Sequence, residues 1–155
     1  MITPLRLDKF WVEELIIQAA PDSNVQPEQP PVFNLDKIDY DVEMNKVKPV
    51  YRVRLVLDMT ANEKEDVVEV FKRIRMVIWG QFSFSEEASE AFIKEVTPLN
   101  QVSILYGIAR GIVASATALT AHGALQLPIV NFVEIMKSKT QQQLTSQVMV
   151  TLPQE

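Results

Sequence analysis

The order of hydropathy patterns along this chain of 155 residues predicts an antiparallel α+β domain, with strands first and helices after. Two observations carry that expectation. Three segments between Ile38 and Ile78 alternate apolar and polar residues with period two, the mark of half-buried strands. After them comes a long, nearly uncharged stretch, Asn100 to Phe132, which holds a single arginine and a single histidine and has helical spacing up to a glycine stop. The length fits one domain, expected to span 1–155.

The first element, Leu5 to Gln18, mixes alternation with a run of Phe10, Trp11, Val12, Leu15, Ile16 and Ile17. Its aromatic and β-branched content favours a bulged strand over a helix. Pro21 to Pro31 holds four prolines and reads as part of an irregular loop over about 21–34. In the next strand Ile38, Tyr40, Val42 and Met44 point one way and Asp39, Asp41 and Glu43 the other. In the following strand Tyr51, Val53, Leu55, Leu57 and Met59 oppose Arg52 and Arg54. The acidic and basic faces of these two strands would pair well as antiparallel neighbours. Val68, Val70, Ile74, Met76 and Ile78 share a face of the last strand, and Lys72 interrupts it, which points to a bulge or an edge position.

Three helices are expected beyond Gly80. Ser83 and Glu86 match a capping box for a helix from about Ser85 to Val96, ended by Pro98. The second runs from about Asn100 to Ala121 and stops near Gly123. The third covers about 133–143 and turns polar from Ser138. The second helix is too diluted by Ser103, Arg110, Ser115 and Thr117 for a membrane span, because a charge at a span's centre costs about 2.5–3.5 kcal/mol. Gly107, Gly111, Ala114 and Ala118 give it one small-residue edge suited to close packing between chains. Arg110 must be paired if buried, and contact with a carboxylate or with carbonyls inside the fold is expected.

Composition narrows the function classes. A net charge of −5 argues against a general nucleic-acid binder. The chain has no cysteine and only His122 as histidine, so a thiolate site is excluded and a zinc site would need carboxylates for nearly all its ligands. No nucleophile, base or metal cluster is assembled by any motif, so an enzyme is not expected and no cofactor or metal is implied. His122, beside the expected helix end, suits a structural role on free carbonyls.

Tyr106-Gly-Ile-Ala-Arg110, then Gly123 and Leu127-Pro-Ile-Val-Asn-Phe132, resemble the SecB family of protein-export chaperones, which carries a similar Tyr-Ala-Arg helix and Pro-Val-Asn-Phe link. Pro30-Pro31-Val32-Phe33 and Gly80-Gln-Phe82-Ser83-Phe84 match further family elements in order. The resemblance implies a four-stranded antiparallel sheet with helices packed on one face, a cytoplasmic homotetramer built as a dimer of dimers, and ATP-independent holding of unfolded or precursor polypeptides for export. Carried over by position, the client groove would comprise Phe33, Ile38, Tyr40, Val42, Phe132 and Met136, with Arg110 and Asn131 structural. One departure matters. Family members that deliver to the SecA motor dock it through an acidic outer sheet face, whereas Lys72, Arg73 and Arg75 stand here. That argues against SecA as a partner and for a chaperone dedicated to one client, such as an antitoxin. A SecB-like assembly protein that binds no client, and a small-molecule binder on an α+β sheet, are the competing classes.

Overall fold

The computed structural model describes residues 4–20, 38–45, 50–60 and 71–150, with the side chains of 45 and 142–150 outside the description. These residues form β1 (Leu5–Ala19), β2 (Ile38–Asn45), β3 (Val50–Thr60), β4 (Phe71–Phe84), α1 (Glu90–Val96), α2 (Leu99–Thr117) and α3 (Phe132–Val150). The strands make one antiparallel sheet in the order β1-β4-β3-β2. The α+β fold with a four-stranded antiparallel sheet is therefore as the sequence predicts.

Alternation decides which face is covered. Val53, Leu55, Leu57 and Met59 of β3 and Ile74, Met76, Ile78 and Phe82 of β4 point to the helices and are buried. Val102, Leu105, Tyr106, Ala109 and Val113 of α2 recur at helical spacing and close the same core. Gly80 lets α2 approach. A Cβ at that position would lie 2.7 Å from both Leu105 Cδ2 and Phe82 Cε2. β4 runs through Gly80 to Phe84, with Gly80 paired to Phe10 on one side and Val53 on the other.

β1 is the bulged strand its sequence suggests. The register with β4 skips Asp8 between Leu7 and Lys9 and Glu13 between Val12 and Glu14. Lys72 is likewise skipped in the pairing of Ala19 with Phe71 and Gln18 with Arg73, so it bulges out of a central strand rather than marking an edge. The expected β2–β3 charge pairing is present: Asp41 lies opposite Arg54 and Glu43 opposite Arg52.

The helix boundaries differ from expectation for local reasons. Ser83 is committed to the sheet opposite Arg6 and Val50, so it cannot cap α1. Ser89 does so instead, its hydroxyl accepting from the Phe92 amide at 3.2 Å. α2 ends at Thr117, before Ala121, and Gly123 sits in the turns beyond it with φ of 77°. α3 begins at Phe132, where Asn131 Oδ1 accepts from the Val133 amide at 3.1 Å, and it continues beyond the expected end near 143 to Val150.

Replacing Gly80 by Val should therefore cost about 1–3 kcal/mol through overpacking against Leu105 and Phe82, seen as a lower urea midpoint. An unchanged midpoint would show that α2 has room to lift.

Candidate functional site

The site is built from α2 outward. Tyr106, Arg110 and Thr117 lie along one side of this helix, and each bonds the backbone of the segment that returns from its end. Thr117 Oγ1 donates to Val113 O at 2.7 Å and accepts from the Leu125 amide at 2.7 Å. Arg110 Nε donates to Leu127 O at 2.9 Å, and Tyr106 Oη donates to Pro128 O at 2.8 Å. Burial pushes the Tyr106 phenol above its ordinary pKa against the opposing Arg110 charge, so it remains a donor. Leu125 and Leu127 are thereby laid into the core, and Phe132 packs edge-on to Tyr106 with ring centroids 5.3 Å apart. The motif residues of α2 thus serve to fix where α3 starts.

His122 does not cap α2. Its Nε2 lies 3.3 Å from Ala20 O at the end of β1, and its ring meets Phe71 edge-on at 5.9 Å. It ties the α2–α3 connection to the sheet, a role its sequence position beside Gly123 gave no sign of.

The expected groove residues divide into three groups. Ile38, Tyr40 and Val42 share the helix-facing side of β2, where Ile38 is buried in the core. Val42 is 36% exposed and the neighbouring Met44 58%, so this edge of the sheet is left uncovered. Phe132 is buried beneath α3. Met136 turns instead into a groove of about 510 Å³ between α1 and α3, together with Leu99, Val133 and Lys137. Phe33 lies outside the described residues. Sequence reasoning missed Lys139. Its ammonium donates to Asp39 Oδ1 and to Tyr40 O, each at 2.6 Å, and sits 4.4 Å from the centre of the Tyr40 ring. A lysine in a polar helical run carries no signal of that contact.

A second apolar surface lies on the other flank. Gly107 and Gly111 are open, with nothing near where a Cβ would be, and with Ile108, Ile112 and Leu119 they line a shallow groove of about 620 Å³ on α2. Ala114 and Ala118 continue the small-residue edge, and Leu119 is 90% exposed. Phe10, Val12 and Leu15 on the helix-facing side of β1 are exposed as well. This flank of the described chain thus keeps apolar side chains in solvent.

The outer sheet face is a mosaic of ion pairs. Asp58 receives both Arg73, at 3.0 and 3.2 Å, and Arg75, at 2.9 Å, and Arg75 also bonds Glu14. Hydrogen bonds from Arg73 outweigh partial burial and, with Arg75, hold the Asp58 carboxyl below its ordinary pKa. Trp11 and Trp79 stack at 6.0 Å, flanked by Lys9 and Arg54. No group of acidic and histidine side chains that could hold a metal occurs among the described residues, and no helix there is long and apolar enough to cross a membrane.

No family model matches the chain. An uncharacterized protein of Methanocaldococcus jannaschii is 27% identical over 114 residues, 73% of this chain and 72% of that one. Among solved structures, the fold is similar to that of the SecB-like chaperone Rv1957 of Mycobacterium tuberculosis, determined with a ChAD peptide from the antitoxin HigA1. The TM-score is 0.54 at 11% identity, over 83% of this chain and 88% of the other. The SecB-like fold is thus shared, with three helices on the described chain and the sheet as above.

The Asp58 cluster makes a pH prediction. A carboxyl whose folded pKa is depressed stabilises the fold fully above its ordinary value and loses that contribution as pH falls through the lowered one, which puts the loss below about pH 4. Asp58→Asn should lower the urea midpoint at neutral pH and lose less than the parent on acidification to about pH 3. Parallel losses in the two proteins would show that the Arg73 and Arg75 contacts contribute nothing.

Proposed function

We propose that this protein is an ATP-independent holdase that retains non-native polypeptide on the uncovered apolar surfaces beside α3. The observation that carries this reading is the state of β2. Its helix-facing residues continue the core pattern of β3, yet α2 and α3 leave Val42 and Met44 open to solvent on a SecB-like fold. Tyr40, Val42 and Met44 supply aromatic, branched and flexible contacts, and Met136 and Leu99 add a second strip across α3. Contacts of this kind favour many sequences because they need no fixed polar readout.

The exposed flank of β1 and α2 supports assembly into an oligomer, with Gly107, Gly111, Ala114 and Ala118 letting helices of neighbouring copies approach. A homotetramer built as a dimer of dimers is the arrangement proposed. Delivery to SecA is not part of the reading. The outer face offers Arg73 and Arg75 already engaged by Asp58 and Glu14, where an acidic docking patch would be required. A dedicated client is favoured over general export on the same ground, and the mycobacterial SecB-like chaperone with its antitoxin peptide is a precedent on this fold.

The purified protein should suppress light scattering of a chemically unfolded client on dilution, without nucleotide, at one client chain per oligomer. Val42→Glu, at an exposed position, should leave the fold intact and weaken retention about tenfold by placing an unpaired carboxylate in an apolar contact. Aggregation that proceeds unchanged at every stoichiometry would sink the holdase reading and favour an assembly protein without clients.

A further inference from the structure

The chain has six methionines and no cysteine, so every sulfur that an oxidant can meet is a thioether. The described methionine side chains fall into two classes. Met59 and Met76 are sealed in the core, at 2% and 0% exposure. Met44 is 58% exposed on the helix-facing side of β2, and Met136 lines the groove between α1 and α3. Met44 lies opposite Tyr51. The Tyr51 ring meets Phe84 edge-on with centroids 5.4 Å apart, and Phe84 meets Phe92 of α1 in the same way at 6.4 Å. The Met44 thioether is therefore the solvent end of an apolar row that runs from β2 to α1, the helix that also walls the Met136 groove. The reachable sulfurs sit on the apolar strips, and the unreachable ones hold the fold.

We infer that Met44 and Met136 form a peroxide-sensitive modification site whose oxidation releases bound polypeptide. The inference rests on the holdase reading and adds a control to that surface. A sulfur lone pair attacks one oxygen of a peroxide, and an S–O bond forms as the O–O bond breaks. The sulfur loses two electrons and the peroxide gains them. The departing hydroxide takes the proton from the transferred oxygen and leaves as water, so the products are a sulfoxide and water. A flexible apolar side chain thereby becomes a polar one with an acceptor oxygen. Apolar client contact would bury that oxygen without a donor, which disfavours the bound state. The fold survives because susceptibility follows exposure and the core thioethers are out of reach. No thiol in the chain consumes the oxidant first. A bound client covers both sulfurs in turn, so the empty protein is oxidised before the loaded one. Reduction of the sulfoxides restores the original surface.

The test treats the full chain with hydrogen peroxide at neutral pH, quenches with free methionine and locates added oxygen by mass spectrometry. Oxygen is expected at Met44 first and Met136 next, with Met59 and Met76 unchanged and the circular dichroism spectrum that of the untreated protein. Freed of oxidant, the treated protein should retain an unfolded, methionine-free client about tenfold more weakly in the scattering assay. Methionine sulfoxide reductase should reverse that loss. The double variant Met44→Leu, Met136→Leu is compared only with itself, and its treated and untreated samples should retain client equally. Bound client should slow oxidation at both positions. Retention unchanged after both sulfurs are oxidised, an equal loss in the double variant, or oxidation of Met59 and Met76 ahead of Met44 would overturn the switch and leave the holdase reading standing. Untreated protein that retains no client would remove both.

Discussion

Everything on the functional side of this molecule depends on how the chain returns from α2. Three side chains on one flank of that helix, Tyr106, Arg110 and Thr117, bond the backbone at Pro128, Leu127 and Leu125. The bond from the Leu125 amide to Thr117 lies in the buried interior, where a polar group left without a partner costs about 1–3 kcal/mol, and the bonds of Arg110 and Tyr106 are partly buried. The segment is thereby held extended, Leu125 and Leu127 fill the core, and Asn131 starts α3 at a fixed place. The position of α3 then decides what the sheet covers and what it leaves bare. Arg110 is consequently an internal strut, and its charge is directed at a carbonyl rather than at a ligand.

The sheet shows the same economy on its two faces. The helix-facing side is a continuous core through β3 and β4 and thins out toward both edges, where β1 and β2 keep apolar residues in solvent. On the opposite side the charges are spent on each other, with Asp58 shared between two arginines and Asp41 set against Arg54. A chain with this distribution has sticky edges and a quiet outer face.

The strands were legible because alternation with period two is a short-range signal. The opposition of Asp41 and Glu43 to Arg54 and Arg52 could be read before any coordinates, and so could the disruption at Lys72. Helix ends were less legible. Ser83 and Glu86 satisfy a capping pattern, but the hydrogen bonds of a central strand claim Ser83 first. The end of α2 was hidden because Thr117 stops the helix through a tertiary contact to Leu125, which no local pattern records. The groove residues named by resemblance come apart for a similar reason. Phe132 and Met136 are one helical turn from each other, yet one is sealed against Tyr106 and the other opens toward α1. Lys139 was invisible because its partners lie about a hundred residues away in sequence, at Asp39 and Tyr40.

The central claim is that the β2 edge and α3, placed by the α2 clamp, are where polypeptide is held. Hydrogen–deuterium exchange with and without a saturating unfolded client tests it most directly. The account predicts slowed exchange in residues 38–45 and changed exchange in 132–141, with the outer-face network around Arg73 and Arg75 unaltered. Exchange that changes only around that network, or nowhere on β2 and α3, would contradict it.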